Sequence, residues 1–244
     1  MPGLKSQLKK LLNSFGYNIE ARRRFRVEFF DQKNLIDAPE IIFDVGGHTG
    51  ETVSRYREIY RNSTIYSFEP FRDAYDKLVL RHKIDKLVIP INIAISDSEN
   101  QTSFYVNKAS ETNSLFPPQN VEERPYHEHD ENYSETKKIE IGATTIDSFC
   151  KKNNIKNIDI LKMDIQGGEL KALSGAREML SEKKIGLIYT EVNFVRIYKN
   201  QPLFHNICEY LEKFGYLLSN VYYLSPAKSG QLIAADALFL KSNN

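Results

Sequence analysis

The sequence predicts an α/β fold built on a mostly parallel sheet with an antiparallel last strand. From residue 41 onward, short apolar runs alternate with helical stretches, which is typical of a parallel sheet with helices on both faces. The first run ends in a glycine-rich turn, and the connection 225–230 joins the last two runs as an antiparallel hairpin would. A chain of 244 residues suffices for one substantial core of this kind.

Each predicted element follows from its own residue pattern. Runs of β-branched and aromatic residues predict strands at 41–45, 64–68, 87–95, 158–163, 185–193, 217–224 and 233–240. The stretches between them predict helices near 50–60, 71–83, 145–152, 167–181 and 203–214. Residues 107–136 contain three prolines and many polar residues, so they predict a long, lid-like loop between short strands at 102–106 and 137–141.

The beginning of the chain differs from the rest. Leucines recur at helical spacing between Leu4 and Leu12, and an arginine cluster follows at Arg22, Arg23, Arg24 and Arg26. This pattern predicts a basic helical N-terminal extension over residues 1–36, before a main domain at 37–244. The arginines are expected to form an ordinary solvated face; the alternative is contact with an anionic substrate or a membrane surface.

Composition narrows the class of protein. A formal net charge of +1 gives no overall attraction to nucleic acid, so no nucleic-acid partner is expected. No run of 18 apolar residues and no signal-peptide pattern occurs, so we expect no transmembrane segment and a cytoplasmic location. Cys150 and Cys208 lack the spacing of metal ligands, which fits a reducing compartment.

A turn that is both acidic and glycine-rich follows the first predicted strand. It reads Asp44-Val-Gly-Gly-His-Thr-Gly50, and Glu69 ends the second predicted strand 23 positions after Gly46. Glycines let the backbone turn sharply beside a ligand, and an acid near this spacing can accept hydrogen bonds from two ribose hydroxyls. The pair predicts a nucleoside-bearing cofactor; an ordinary strand–turn–helix corner would use the same glycines.

The order of the glycines indicates which cofactor. Gly46-Gly47-His48-Thr49-Gly50 does not match the Gly-x-Gly-x-x-Gly pattern of nicotinamide dinucleotide sites. Asp44 would repel a pyrophosphate, but it suits a ligand with a positive amine or sulfonium. S-adenosylmethionine carries both groups and is therefore the predicted cofactor.

Five segments in order carry a resemblance to a known family. They are Asp44–Gly50, Phe68–Pro70, Asn92–Asp97, Thr145–Phe149 and Leu161–Leu170. Together they resemble the FkbM-type S-adenosylmethionine-dependent methyltransferases, which methylate hydroxyl groups, often on sugars. The likeness runs from about Ile41 to Leu240, with two departures: His48 stands where the family usually has Asn, and Gln166 where Glu is common.

The resemblance implies a seven-stranded, Rossmann-like class I methyltransferase fold over the main domain, with the cofactor across the carboxyl ends of the first strands. Glu69 would bind the ribose, the glycine turn would pass under the methionine part, and the segment 92–97 would flank the adenine. Asp97 is equally well read as a turn residue. The expected cofactor-binding residues are Asp44, Gly46, Gly47, His48, Thr49, Gly50, Glu69, Pro70, Ala94, Ile95, Asp97 and Ser114.

Three residues are candidates for the chemistry. Asp164 ends the strand 158–163 and Glu191 lies near the end of the next strand, so either carboxylate could accept or orient a hydroxyl proton near the methyl group, or both could hold a divalent ion. His205 is a rival base, and its ordinary pKa suits neutral pH. Asp164 could instead cap the following helix, and His205 could be an exposed helix-start residue. Metal use is left open.

The remaining sequence signals leave alternatives. His127-Glu128-His129-Asp130 in the long loop has the residue types of a metal site, or is a flexible hydrophilic tract. The functions that compete with O-methylation of a glycan, glycolipid or secondary metabolite are a nicotinamide-dependent oxidoreductase and a non-catalytic cofactor-binding module in glycan assembly. A small-molecule or glycan acceptor is expected; its identity and the oligomeric state are not specified by the sequence.

Overall fold

A computed structural model describes residues 27–120, 130–134 and 136–242. Its contacts divide the chain between Asp37 and Ala38 into two compact units. The first contains helix α1, Val27–Leu35. The predicted leucine-rich helix and the arginine cluster lie outside the described residues. Within the described ranges, no helix is long and apolar enough to cross a membrane.

The second unit is built on a seven-stranded sheet. Its strands are β1 Ile41–Val45, β2 Thr64–Phe68, β3 Val88–Ile91, β7 Ile158–Met163, β8 Ile185–Asn193, β9 Tyr216–Pro226 and β10 Leu232–Lys241. They lie in the order β3-β2-β1-β7-β8-β10-β9. The first five pair in parallel, whereas β10 runs antiparallel to both β8 and β9. The predicted fold class is confirmed, including the antiparallel last strand.

Six further helices connect these strands. They are α2 Glu51–Ile59, α3 Arg72–His82, α4 Ile146–Lys152, α5 Glu169–Ser174, α6 Arg177–Ser181 and α7 Phe204–Glu212. The single helix predicted at 167–181 is divided at Gly175, where a Cβ atom would lie 2.1 Å from the backbone oxygen of Ser96. The carboxylate of Asp147 accepts hydrogen bonds from the backbone N–H groups of Glu178 and Met179, which starts the second helix.

The predicted strand 87–95 is also divided between two sheets. Its first part is β3, and its second part, β4 Ala94–Ile95, joins β5 Asn100–Val106 and β6 Lys137–Thr144 in a three-stranded sheet. Asn92 lies at the division, and its amide donates to the backbone oxygens of Glu69 and Pro70 at 2.9 Å. These hydrogen bonds turn the chain toward the end of β2, an effect that apolar periodicity alone does not reveal.

The two faces of the large sheet differ in polarity near the center. On one face, Phe43, Phe68 and Phe149 pack with ring centroids 4.9–5.7 Å apart inside an apolar core. On the other face, the strand register places Asp44 between Ser67 and Lys162. Because side chains alternate along a strand, this buried polar row lies directly beneath the turn that follows β1.

Candidate active site

A cavity of about 350 Å³ opens at the carboxyl ends of β1, β2 and β7. Its wall comes from the turn after β1, from Glu69 and Pro70 after β2, from residues 93–95, from the loop 110–115 and from residues 164–166 after β7. This is the edge where ligands bind in open α/β sheets. Of the predicted cofactor residues, Gly46, Gly47, His48, Thr49, Glu69, Pro70, Ala94 and Ile95 line it.

The glycine turn is tightly packed against the ends of the neighbouring strands. The backbone N–H groups of Gly46 and Gly47 both donate to the oxygen of Phe68 at 3.0 Å. Gly46 has a φ of +84°, and a Cβ atom there would lie 1.9 Å from the backbone oxygen of Asp164. Gly50 precedes α2 and does not line the cavity; its absent side chain makes room for Leu78 and His82. Gly46 and Gly47 thus fix the shape of the cavity floor.

Glu69 is buried, and its carboxylate is held in one orientation. One oxygen accepts from the backbone N–H of His48 and the other from that of Phe71, both at 2.8 Å. Burial raises the pKa of Glu69 to about 7, although these two hydrogen bonds oppose the increase. Each carboxylate oxygen keeps a second lone pair that a ligand can use.

Asp44 lies beneath the cavity and is neutralised from within the protein. Ser67 Oγ donates to its carboxylate at 2.8 Å, and Lys162 Nζ lies 3.2 Å from its other oxygen. Burial acts to lower the pKa of Lys162, but the carboxylates of Asp44 and Asp164 outweigh it and raise that pKa. Asp44 does not line the cavity, whereas Lys162 does and also donates to the oxygen of Gly46 at 3.3 Å.

The sequence interpretation missed Lys162. Its signal was present, because a lysine inside the apolar run Ile158–Met163 must have a partner when it is buried. In the structure this partner is Asp44, the acid that the sequence predicted to face a positively charged ligand.

Asp164, the predicted catalytic acid, lines the cavity and is exposed. The Nε2 atom of Gln166 donates to it at 3.0 Å and to Glu191 at 3.0 Å, so the structure brings the two predicted acids to one amide. Glu191 does not line the cavity. Burial, together with the charge of Asp164, raises the pKa of Glu191 well above its ordinary value. Tyr198, which the sequence interpretation missed, holds the other end of Gln166 at 3.0 Å.

The described part of the predicted lid loop forms one wall of the cavity. Ser114 Oγ donates to the backbone oxygen of Gln166 at 2.7 Å, and Tyr198 donates to that of Thr112 at 2.7 Å. His48 Nε2 lies 2.9 Å from Ser110 Oγ, and burial lowers the pKa of His48. Ser114 therefore fastens the loop and does not itself line the cavity.

Two predicted site residues lie away from this group. Asp97 is exposed, accepts from Ser96 Oγ at 3.1 Å and pairs with Lys171 at 3.8 Å. His205 is exposed in the first turn of α7 and does not line the cavity.

Two further acids that resemble site residues have structural partners. Glu169 accepts from the backbone N–H of Ile165 at 2.9 Å, and burial raises its pKa to about 7. Asp236 accepts from the hydroxyl of Tyr189 at 2.6 Å. Glu169 therefore holds the backbone that follows β7, and Asp236 joins β10 to β8.

Two parts of the chain bear on metal binding. Across residues 27–120, 130–134 and 136–242, no group of three or more His, Cys, Asp or Glu side chains is arranged to hold a metal ion. The candidate tract His127–Asp130 lies outside the described residues, apart from the backbone of Asp130.

The strand order, the antiparallel last strand and the cavity beside Glu69 define a class I methyltransferase fold. Residues 44–218 match the family model described as the methyltransferase FkbM domain, and the chain belongs to this family. This match covers every residue of the cavity wall and also Tyr198. The membership disfavours the oxidoreductase alternative.

Known proteins show more distant similarity. The 2-O-methyltransferase NoeI of Sinorhizobium fredii is 24% identical over 193 residues, which cover 74% of this chain and 75% of that protein. Among solved structures, M. capricolum TrmK bound to S-adenosylhomocysteine has a TM-score of 0.48 at 12% identity, covering 89% of this chain and 69% of that one. Methanococcus jannaschii fibrillarin has a TM-score of 0.48 at 14% identity, covering 86% and 69%.

Proposed function

We propose that this protein is an S-adenosylmethionine-dependent O-methyltransferase that acts on a sugar hydroxyl of a glycan, glycolipid or secondary metabolite. The observation that carries the proposal is that two acids line one cavity: the exposed Asp164 after β7 and Glu69 after β2. In this proposal, Glu69 holds the ribose and Asp164 meets the acceptor. Membership of the FkbM methyltransferase family supports the same assignment.

The residues of the cavity fit this cofactor. Glu69 has a free lone pair on each oxygen for the two ribose hydroxyls, and the apolar side chains of Ala94 and Ile95 suit an adenine face. The backbone of Gly46 and Gly47 forms the floor on which the methionine part would lie. When bound, S-adenosylmethionine supplies an electrophilic methyl group on a positive sulfonium.

Asp164 is the proposed general base. It is exposed on the cavity edge, where an acceptor hydroxyl can reach it, and its carboxylate accepts a hydrogen bond from Gln166 that restricts its orientation. A hydroxyl becomes a good nucleophile as its proton begins to leave, and a positioned base typically contributes about 10²–10⁴-fold. His205 lies away from the cavity wall, which favours Asp164 of the two candidates.

The choice of oxygen as acceptor atom has two supports. The distant Sinorhizobium relative is named a 2-O-methyltransferase. In addition, a carboxylate base suits the proton of a hydroxyl group, since an alcohol has to lose its proton during transfer. We also propose that the loop at 107–136 acts as the lid that excludes water during transfer.

Two binding titrations test the cofactor, and a transfer assay tests the acceptor. Calorimetry with S-adenosylhomocysteine should give binding, whereas NAD should give none. Methyl transfer from labelled S-adenosylmethionine to a panel of sugars, nucleotide-sugars and glycolipids should then yield an alkali-stable methyl ether. Binding of NAD in place of S-adenosylhomocysteine would refute the cofactor assignment, and a methylated amine or carboxylate product would refute O-methylation.

A further inference from the structure

The side chain of Gln166 lies between the two acids at the ends of β7 and β8. Its Nε2 atom is 3.0 Å from Asp164 Oδ1 and 3.0 Å from Glu191 Oε2. Gln166 has a φ of +55°, a backbone conformation that few residues other than glycine adopt. The chain thus accepts an unfavourable backbone conformation at the residue whose amide joins the two carboxylates.

The orientation of this amide is fixed by its partners. The exposed carboxylate of Asp164 accepts hydrogen bonds when ionised, so the amide nitrogen, which is also 3.0 Å from Glu191, faces it. The hydroxyl of the fully buried Tyr198 lies 3.0 Å from Gln166 Oε1 and 2.7 Å from the backbone oxygen of Thr112, and its one hydrogen is shared between these two acceptors. Turning the amide over would place its oxygen against the carboxylate of Asp164 and its N–H group against the shared hydrogen of Tyr198.

The two distances around the amide nitrogen are those of ordinary hydrogen bonds, and they are also compatible with a carboxylate oxygen in its place that shares a metal ion with both acids. Neighbouring oxygen ligands of an octahedral Mg²⁺ or Mn²⁺ at roughly 2.1 Å lie about 3.0 Å apart. An oxygen atom at the position of Gln166 Nε2 would have this separation from both carboxylates. The amide hydrogens supply attraction to both acids, as a bridging cation would, without adding charge.

We propose that Gln166, oriented by Tyr198, is a positioning residue that takes the place of a bridging cation between Asp164 and Glu191. One oxygen of Asp164 is held by the amide, and its other oxygen is left for the acceptor hydroxyl. Within the described residues, Gln166 is the side chain that donates to Asp164. The role of Gln166 in catalysis rests on the proposed function. Its role in holding Asp164 and Glu191 together without a metal ion does not.

The substitution Gln166→Glu separates the two parts. It keeps the size of the side chain, replaces the nitrogen by a third carboxylate oxygen and removes the attraction between the acids. Gln101→Glu is the matched control, since Gln101 is an exposed residue of β5 away from the cavity. Both variants and the unaltered full chain are titrated with MnCl₂ by calorimetry, and their melting temperatures are measured with and without Mn²⁺.

We expect Gln166→Glu to bind Mn²⁺ about tenfold or more tightly than the unaltered chain and Gln101→Glu, because a third carboxylate completes a hard-oxygen site. Mn²⁺ should raise the melting temperature of Gln166→Glu alone, even if this variant is poorly folded without metal. Equal Mn²⁺ binding by all three proteins would overturn the proposal. These readouts remain decisive if no methyl transfer or S-adenosylhomocysteine binding is found.

Kinetics test the positioning role. Tyr198→Phe keeps the buried ring and removes the hydroxyl, so turnover should fall about tenfold while KM for S-adenosylmethionine stays within about twofold. In Gln166→Glu, turnover should be lost in EDTA and partly recovered with Mn²⁺. Unchanged turnover in Tyr198→Phe and in metal-free Gln166→Glu would contradict the role assigned to the amide.

Discussion

The ionisation of Glu69 should make both cofactor binding and folding stability depend on pH. The substitution Glu69→Gln removes this ionisable group. The side chain is 6% exposed, and both of its oxygens accept backbone hydrogen bonds. Its pKa is raised from 4.5 to about 7, chiefly by burial. The residue proposed to hold the ribose therefore changes its charge near neutral pH in the cofactor-free protein.

The effect on binding can be worked out from this pKa. If the ionised carboxylate is the form that accepts both ribose hydroxyls, the fraction available changes from about nine-tenths at pH 8 to about one-tenth at pH 6. The affinity for S-adenosylhomocysteine should then fall about tenfold over this interval. In Glu69→Gln the affinity should be lower at pH 8, by about 1.5–3 kcal/mol for each charge-assisted hydrogen bond lost, and this pH dependence should disappear.

The effect of pH on folding stability has the opposite sign: ionisation of Glu69 favours cofactor binding but lowers the stability of the fold. A carboxyl group whose pKa is higher in the folded state than in the unfolded state stabilises the fold below the unfolded pKa and loses that contribution as the pH rises through the folded pKa. For Glu69 the loss amounts to about 2 kcal/mol between pH 5.5 and pH 8. Because Glu169 also has a pKa raised to about 7, the relevant quantity is the difference between the unaltered chain and Glu69→Gln.

Calorimetric titration with S-adenosylhomocysteine and urea unfolding, each at several pH values, measure the two effects. Glu111→Gln is the control, because Glu111 is an exposed acid on the same cavity wall. The reasoning is refuted if the affinity of the unaltered chain does not change with pH. It is also refuted if the pH dependence survives in Glu69→Gln but is absent in Glu111→Gln.

Three other predictions follow from the site. Asp164→Asn should lower turnover by about 10²–10⁴-fold with little change in cofactor affinity, whereas His205→Ala should retain turnover; the reverse pattern would move the base to His205. Gly46→Ala should abolish S-adenosylhomocysteine binding and lower the melting temperature, because its Cβ atom would lie 1.9 Å from the Asp164 oxygen at a φ of +84°, and a normal melting temperature would contradict this. Methyl transfer should continue in EDTA, since an amide bridges the two acids, and a loss restored by Mg²⁺ would show a metal requirement.

Most of the fold could be predicted from the sequence because its strands are short apolar runs separated by recognisable turns. The central strands β1, β2 and β7 were predicted with the bounds that the structure has. The division of residues 87–95 into β3 and β4 was not predictable in this way. It depends on the Asn92 amide meeting backbone oxygens more than 20 residues earlier in the chain, and periodicity reports only local order.

The site was predictable where a strand end places a polar residue at the ligand edge. Glu69 and Asp164 were found in this way, and both line the cavity. Gln166 was noticed only as a departure from the family pattern, and Tyr198 gave no signal at all. Their contact joins residues 32 positions apart through side chains, and no spacing rule connects a tyrosine in one loop to a glutamine in another.

Four acids mark the ends of neighbouring parallel strands, and their partners determine what each can do. Asp44 and Glu191 are turned inward: a buried lysine balances the charge of Asp44, whereas Glu191 is held by a neutral amide and has a raised pKa. Glu69 and Asp164 line the cavity and keep oxygen lone pairs for a ligand. Glu69 and Asp164 directly follow their strands, whereas Asp44 and Glu191 lie within theirs, so position identifies the edge of the sheet but not the role of each acid. The hydrogen-bond partners then separate the acids that hold the structure from those proposed to hold the cofactor and take the proton.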